Sequence, residues 1–223
     1  MRGVHTVCAG GVFTVALRVN ALDPALARRA AGLAARPKAL LGITGAPGSG
    51  KSTLAQALRQ ELAECGVPTA LVGMDGFHLA HRALGELGLV EVKGAPETFD
   101  VAGYLALLRR LREPDGEVVW APEFRREIED AVAGCIPVDP ETRLIITEGN
   151  YLLLEGPWRP VRELLDEVWY VEQPEPVRRD RLAARHRFYG RSEAEAWART
   201  LGSDERNARL VATTKLRADL VIS

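Results

Sequence analysis

Residues 40–53 read Leu-Leu-Gly-Ile-Thr-Gly-Ala-Pro-Gly-Ser-Gly-Lys-Ser-Thr, and no other stretch narrows the fold of this chain as much. Leu40, Leu41, Ile43 and Thr44 form a short apolar, partly β-branched run, which reads as a strand buried on both faces. Gly45 to Ser52 then match G-x-x-x-x-G-K-[ST] in full. After them Leu54, Leu58 and Leu62 recur at helical spacing among Ala55, Gln56, Ala57 and Glu61, giving one apolar helix face. Strand, glycine-rich loop and helix in that order demand a parallel α/β sheet.

The residue types suit a polyanion. The first N–H groups of a helix have no partners inside it, and the positive end of the helix dipole lies behind them. A loop turning into that helix aims these groups at a phosphate. Gly45, Gly48 and Gly50 allow backbone angles and close approach that a side chain would block. Lys51 supplies a mobile cation, and the Ser52 hydroxyl can join a magnesium ion. The expected phosphate-binding segment is Gly45, Ala46, Pro47, Gly48, Ser49, Gly50, Lys51, Ser52 and Thr53. A glycine-rich turn that binds nothing would not need these flanks.

The rest of the chain is consistent with one such domain. Its 223 residues suit a single α/β core with a small lid, and Lys+Arg (29) nearly balances Asp+Glu (30). That balance gives no bulk field for nucleic acid or an anionic membrane. Cys8, Cys65 and Cys135 are scattered and odd in number, which reads as reduced thiols in a cytoplasmic protein. No apolar run reaches the length of a membrane span. Arg2 and the apolar residues 12–17 faintly resemble an export signal with Val19-Asn20-Ala21 as its cleavage site, but the run is short and sits beside Gly10 and Gly11. An added strand or a loose tail is the expectation there. Asp23 and Pro24 open a helix over 23–36, so residues 1–38 read as an extension and helix before the main domain at 39–223.

Gly66 and Pro68 end the loop's helix, and residues 69–74 form a second strand that delivers Asp75-Gly76-Phe77-His78. Ligands in parallel sheets collect outside the carboxyl ends of strands, so Asp75 arrives beside the glycine-rich loop. There it can take a proton from a hydroxyl or hold magnesium through water; a plain helix cap is the bland alternative. His78 and His81 lack the nearby cysteine or further histidine of a metal site, and contact with a substrate suits His78 better. Residues 79–98 read as an irregular cap, Asp100 caps a helix, and 118–120 is a short strand entering a charged segment, either solvated loop or pocket. Residues 143–149 are a third strand ending in Glu148, a second carboxylate near the loop. A fourth strand covers 168–171 and a last one 218–222. Between them, residues 176–191 hold six arginines against the single acid Asp180. Arg178, Arg181 and Arg185 share a helix face, which is either solvated or a lid over phosphates at about 176–195. Ser192 and Glu195 form a capping box for the next helix.

GAPGSGKS, MDGFHL, PETFD at 96–100, TEGNYLLL at 147–154 and the terminal ADLVI together resemble the phosphoribulokinase/uridine kinase group of P-loop kinases, which includes bacterial pantothenate kinases. More narrowly, they resemble a bacterial branch described as nucleoside/nucleotide kinases or fructose-transport-system kinases. The resemblance runs from about Leu40 to the C-terminus. It implies a three-layer αβα sandwich, the P-loop NTPase fold, around a five-stranded parallel sheet with a helical lid. It implies Asp75 as catalytic base beside Lys51, Arg181 and Arg185 as lid arginines on phosphates, and His78 and Tyr151 as substrate contacts. Ser52 and Glu148 would hold Mg2+.

The expected activity is a transfer of the γ-phosphoryl group of ATP to a hydroxyl of a nucleoside-, pantothenate- or sugar-like metabolite. Neither nucleic acid nor membrane is an expected partner, and a homodimer is left open. The rival classes are a GTP-dependent switch or metallochaperone and a non-catalytic nucleotide-binding regulator. The former would carry an N-K-x-D signature; residues 214–219, Thr-Lys-Leu-Arg-Ala-Asp, have the wrong spacing. The latter has no reason to keep Lys51, Asp75 and Glu148 together.

Overall fold

The computed structural model describes residues 13–15, 22–113 and 116–223. Most of the stretch weighed as an export signal, and Cys8, lie outside them. In chain order the elements are β1 (Phe13–Val15), α1 (Pro24–Leu33), β2 (Ala39–Thr44), α2 (Lys51–Glu64) and β3 (Thr69–Gly73). There follow α3 (His81–Leu87), α4 (Val101–Arg112), β4 (Val119–Arg125), β5 (Asp130–Val138), β6 (Leu144–Gly149), α5 (Arg159–Leu164) and β7 (Glu167–Val171). The chain ends with α6 (Glu175–Phe188), α7 (Glu193–Arg199), α8 (Glu205–Ala212) and β8 (Leu220–Ile222).

Six strands form a parallel sheet in the order β1-β8-β7-β2-β6-β3. Five of them are the strands expected from sequence; the sixth, β1, adds at the edge beside β8. Alternation along each strand divides the core into two layers. On β2 and β6, Leu41, Ile43, Leu144 and Ile146 face α1 and α2, meeting Leu26, Ala30, Leu54, Leu58 and Leu62. Leu40 and Ile145 face the other way, onto Tyr104, Leu105 and Leu108 of α4 and Val161 of α5. Strands buried on both faces explain why these segments read as continuous apolar runs.

The caps are as the sequence expects. Asp23 accepts from the Ala25 N–H at 2.8 Å with Pro24 next to it, Asp100 accepts from Gly103 at 2.9 Å, and Ser192 with Glu195 forms the capping box. One segment differs. Residues 119–138, expected as a short strand and a charged irregular stretch, are an antiparallel ribbon of β4 and β5 outside the main sheet. Pro122 and Pro137 obscure it in sequence, because proline lacks a donor for a sheet ladder. A two-stranded ribbon has only edge strands, so it tolerates both.

Candidate active site

The P-loop crosses from β2, near the middle of the sheet, to α2, and its backbone sets what side chains it can carry. Gly45 and Gly48 adopt φ of 154° and 79°. A Cβ at Gly45 would stand 2.5 Å from the Val171 carbonyl oxygen, and one at Gly48 would stand 2.6 Å from that of Arg178. Both positions need glycine on two counts, backbone angle and space. Arg178 explains the second contact. It is buried, donates to the Pro47 carbonyl at 3.3 Å and to Glu205 Oε2 at 2.7 Å, and so ties α6 to the loop. Arg179 completes the network with bonds of 2.8 and 3.2 Å to the Glu205 carboxylate. Arg178 is thus a structural strut, apart from Arg181 and Arg185, which line the cavities.

Neighbouring strand ends bring the acids to this loop. Ile43 and Glu148 are paired across β2 and β6, and Gly73 pairs with Glu148 across β3 and β6. Glu148 Oε1 accepts from Ser52 Oγ at 3.0 Å. Burial pushes the Glu148 carboxyl up, opposed by Lys51, and burial pushes the Lys51 ammonium down, opposed by Glu148 and then Asp75. The hydroxyl and the carboxylate are two hard oxygen donors side by side, a set that fits magnesium.

Asp75 lies in a short 3-10 turn, Met74–Phe77, whose cap position is Gly73. Its carboxylate is half-exposed and meets Arg126 Nη2 of the ribbon's turn at 3.5 Å. Gly76 does not take a positive φ; its role is space, since a Cβ there would lie 2.5 Å from the Pro122 carbonyl oxygen. At Gly76 the turn and the ribbon thus cross backbone to backbone.

Two cavities meet at the P-loop. The smaller, about 190 Å³, is walled by Gly48, Gly50, Lys51, Ser52, Thr53, Arg181 and Arg185, together with Leu182. The larger, about 510 Å³, shares Lys51, Ser52 and Arg185 and adds Asp75, His78 and Arg126. His81, expected to take no metal, also lines it. Among the described residues no cluster of three or more His, Cys, Asp or Glu side chains could hold a metal.

Tyr151 does not line that cavity. It is buried among Phe99 and Trp158, and its hydroxyl donates to the Gly94 carbonyl. Direct substrate contact, expected from the resemblance, is replaced by support of the wall that Gly94 forms. His78 does reach the cavity. Its ring stacks against Phe99 and Phe124 at centroid distances of 4.0 and 4.7 Å, and its Nδ1 lies 2.9 Å from the Asp75 carbonyl oxygen. Burial pushes the imidazole pKa down, opposed by Asp75.

Sequence reasoning left Arg126 and Lys93 without roles. Both lie on irregular or charged stretches with no period, and only the ribbon's fold brings them to the cavity. Asp219 stands just before β8, at the amino end of the parallel strands, whereas the P-loop follows the carboxyl end of β2. It accepts from Arg162 at 2.9 and 3.0 Å and from the Val168 N–H at 2.7 Å. The one acid that a displaced guanine signature would offer is thus remote from the P-loop.

Comparison with known proteins gives one family model, that of the methylmalonyl Co-A mutase-associated GTPase MeaB, matching residues 20–79. A candidate uridine kinase from Schizosaccharomyces pombe is 34% identical over 83% of this chain and 83% of its own. An ATP-dependent kinase-like protein from Aspergillus versicolor is 35% identical over 64% of this chain and 89% of its own. Among solved structures, a candidate fructose transport system kinase from Silicibacter sp. TM1040 is 39% identical, covering 88% of this chain and 98% of that one with a TM-score of 0.80.

Proposed function

The chain belongs to the P-loop kinases of the uridine kinase, pantothenate kinase and phosphoribulokinase group, and from that premise we propose that it transfers the γ-phosphoryl group of ATP to a hydroxyl of a small metabolite. The observation that carries this reading is the meeting of two cavities at Lys51, Ser52 and Arg185, with Asp75 on the larger of the two and also on a third, of about 260 Å³, beside Ser52 and Glu148. The smaller cavity has the lining of a phosphate site; the larger has room and a carboxylate for an acceptor.

In this reading the P-loop N–H groups and Lys51 hold the outer phosphates, and Arg181 and Arg185 close over them from α6. Asp75 accepts the proton of the acceptor hydroxyl as its oxygen bonds to the γ-phosphorus and the bond to the bridging oxygen of ADP breaks. Charge building on the transferred group is met by Lys51 and the arginines, which are already in place before the reaction. Ser52 and Glu148 would hold Mg2+, which supplies further neutralisation of the phosphates when bound.

The MeaB match favours a second reading, a GTP-dependent switch. It covers residues 20–79, which hold the P-loop, α2 and β3 but neither the ribbon nor α6. The test is an ATP-depletion screen over nucleosides, pantothenate, sugars and sugar acids with magnesium present. Acceptor-dependent ADP release is the expected result. Slow hydrolysis of GTP in preference to ATP, unaffected by every acceptor, would overturn the transferase reading.

A further inference from the structure

Several positive charges line the acceptor cavity: Lys93, Arg126, Arg185, Arg191 and Arg199 beside Lys51. Its acids are largely engaged. Asp204 bonds His186 at 2.7 Å, and the Glu195 carboxylate accepts from the Ser192 N–H and hydroxyl at 2.9 and 2.7 Å. Lys93 is held by the Glu129 carbonyl and by Asp130 at 3.5 Å, and Arg199 donates to the Lys93 carbonyl at 2.7 Å. Arg126 is held less firmly than Lys93 or Arg199: its one ion pair among the described residues is the loose 3.5 Å contact with Asp75.

Arg126 and Arg185 line the same cavity from the ribbon and the lid. Burial pushes the Arg185 guanidinium down, and the charge on Arg126 is the next cause. Arg185 also lines the phosphate cavity and has the γ-phosphoryl group to neutralise it. Arg126 lies outside that cavity; it lines the acceptor cavity and the third one beside Ser52 and Glu148.

The aromatic groups around His78 are already occupied. His78 stacks with Phe99 and Phe124, while Lys93 and Arg126 sit over the Phe124 ring at 5.4 and 5.6 Å from its centroid. A nucleobase would have to displace these contacts or stack on Tyr189, which lines the same cavity and is 47% exposed. The His78 ring can offer a hydrogen bond instead. Its Nδ1 faces a carbonyl oxygen, which can only accept, so Nδ1 carries the proton and Nε2 is the acceptor.

We propose that the acceptor is a small acidic polyol, a sugar acid or sugar phosphate, whose anionic group is bound by Arg126, whose reacting hydroxyl faces Asp75 and whose second hydroxyl donates to His78 Nε2. This rests on the kinase reading above and names its substrate class. Carboxylate and phosphate both fit a guanidinium fork.

The test compares matched pairs on the full chain with Mg-ATP: gluconate against glucose, ribose 5-phosphate against ribose, and uridine as the nucleoside. ADP release measures transfer, and calorimetry with a non-hydrolysable ATP analogue and magnesium measures binding. The anionic member of at least one pair is expected to show the higher kcat/KM, and which pair responds identifies carboxylate or phosphate. Arg126→Met, which keeps an apolar stem on Phe124, should reduce that anionic-to-neutral preference by about 10- to 100-fold, the range of a hydrogen bond to a charged group. The KM for ATP should hold. Any effect through Asp75 falls on both members of a pair and cancels in the ratio. Arg126→Lys should recover part of the preference. Transfer to neutral acceptors with no anionic preference would overturn the anion site and leave the kinase standing. Anion binding lost in Arg126→Met, without transfer to any acceptor, would support the site and overturn the kinase. Uridine as the best acceptor would overturn the acidic-polyol class.

Discussion

At the scale of single residues, Asp75 and Lys51 stand within one constellation but do different things. Asp75→Asn keeps shape and removes the carboxylate proposed to accept the proton, so the maximal rate should fall about 10²–10⁴-fold. Mg-ATP affinity, measured by calorimetry on the same protein, should barely move, because the P-loop N–H groups, Lys51 and Ser52 are untouched. A matching fall in nucleotide affinity, rescued by added magnesium, would make Asp75 a metal-side group instead. An unchanged rate would remove it from the chemistry. Lys51, Ser52, Asp75 and Glu148 were legible because each closes a strand or opens a helix within a fixed motif. Tyr151 shows the limit of that legibility: its motif marks it, but burial beside Phe99 and Trp158 turns its hydroxyl to a backbone carbonyl. Arg126 carries no motif at all.

Among the elements, α6 is fixed to the P-loop through the Arg178–Glu205–Arg179 network. Its two arginine bonds hold the Glu205 carboxyl down at about 2, from an ordinary 4.5. A depressed carboxylate pKa adds stability that is complete above 4.5 and is lost as pH falls through about 2. Glu205→Gln leaves Arg178 buried without its anion, a change that costs about 3–5 kcal/mol when a buried pair is broken. Urea midpoints for the two proteins should differ most near pH 7 and converge as the pH drops from 4.5 toward 2. A constant gap over that window would remove the ion pair as the cause. The arginine-rich face of α6 was visible in sequence, yet its division was not. Arg178 goes to the interior while Arg181 and Arg185 line the cavities, because Glu205 arrives from α8, 27 residues further along the chain. The ribbon was hidden for a different reason: two prolines in a short strand pair contradict local propensity, and only the lack of a central strand lets them fit.

For the whole molecule, the set of buried parallel strands was the most readable property, since doubly buried strands announce themselves as apolar runs. Ligand binding acts on the stability of this entire unit. A ligand at about 100 times its Kd adds about 2.7 kcal/mol to the folded state, or about 5–10 °C in Tm for a chain of this size. ATP with magnesium should produce such a shift at concentrations where GTP produces much less, as a thermal melt would report. Equal shifts would favour the switch. The crossing at Gly76 and Pro122 has its own consequence for descent with change. The turn and the ribbon touch there, so the ribbon is seated by Gly76 against Pro122 together with the buried Val119, Ala121 and Val138. Its outward residues, Phe124 and Arg126 among them, are free to be exchanged by mutation while the phosphate machinery on the sheet stays as it was. Under the kinase reading, lineages sharing this frame can therefore drift from one acceptor to another through changes on the ribbon, with Gly76 as the hinge pin that stays fixed.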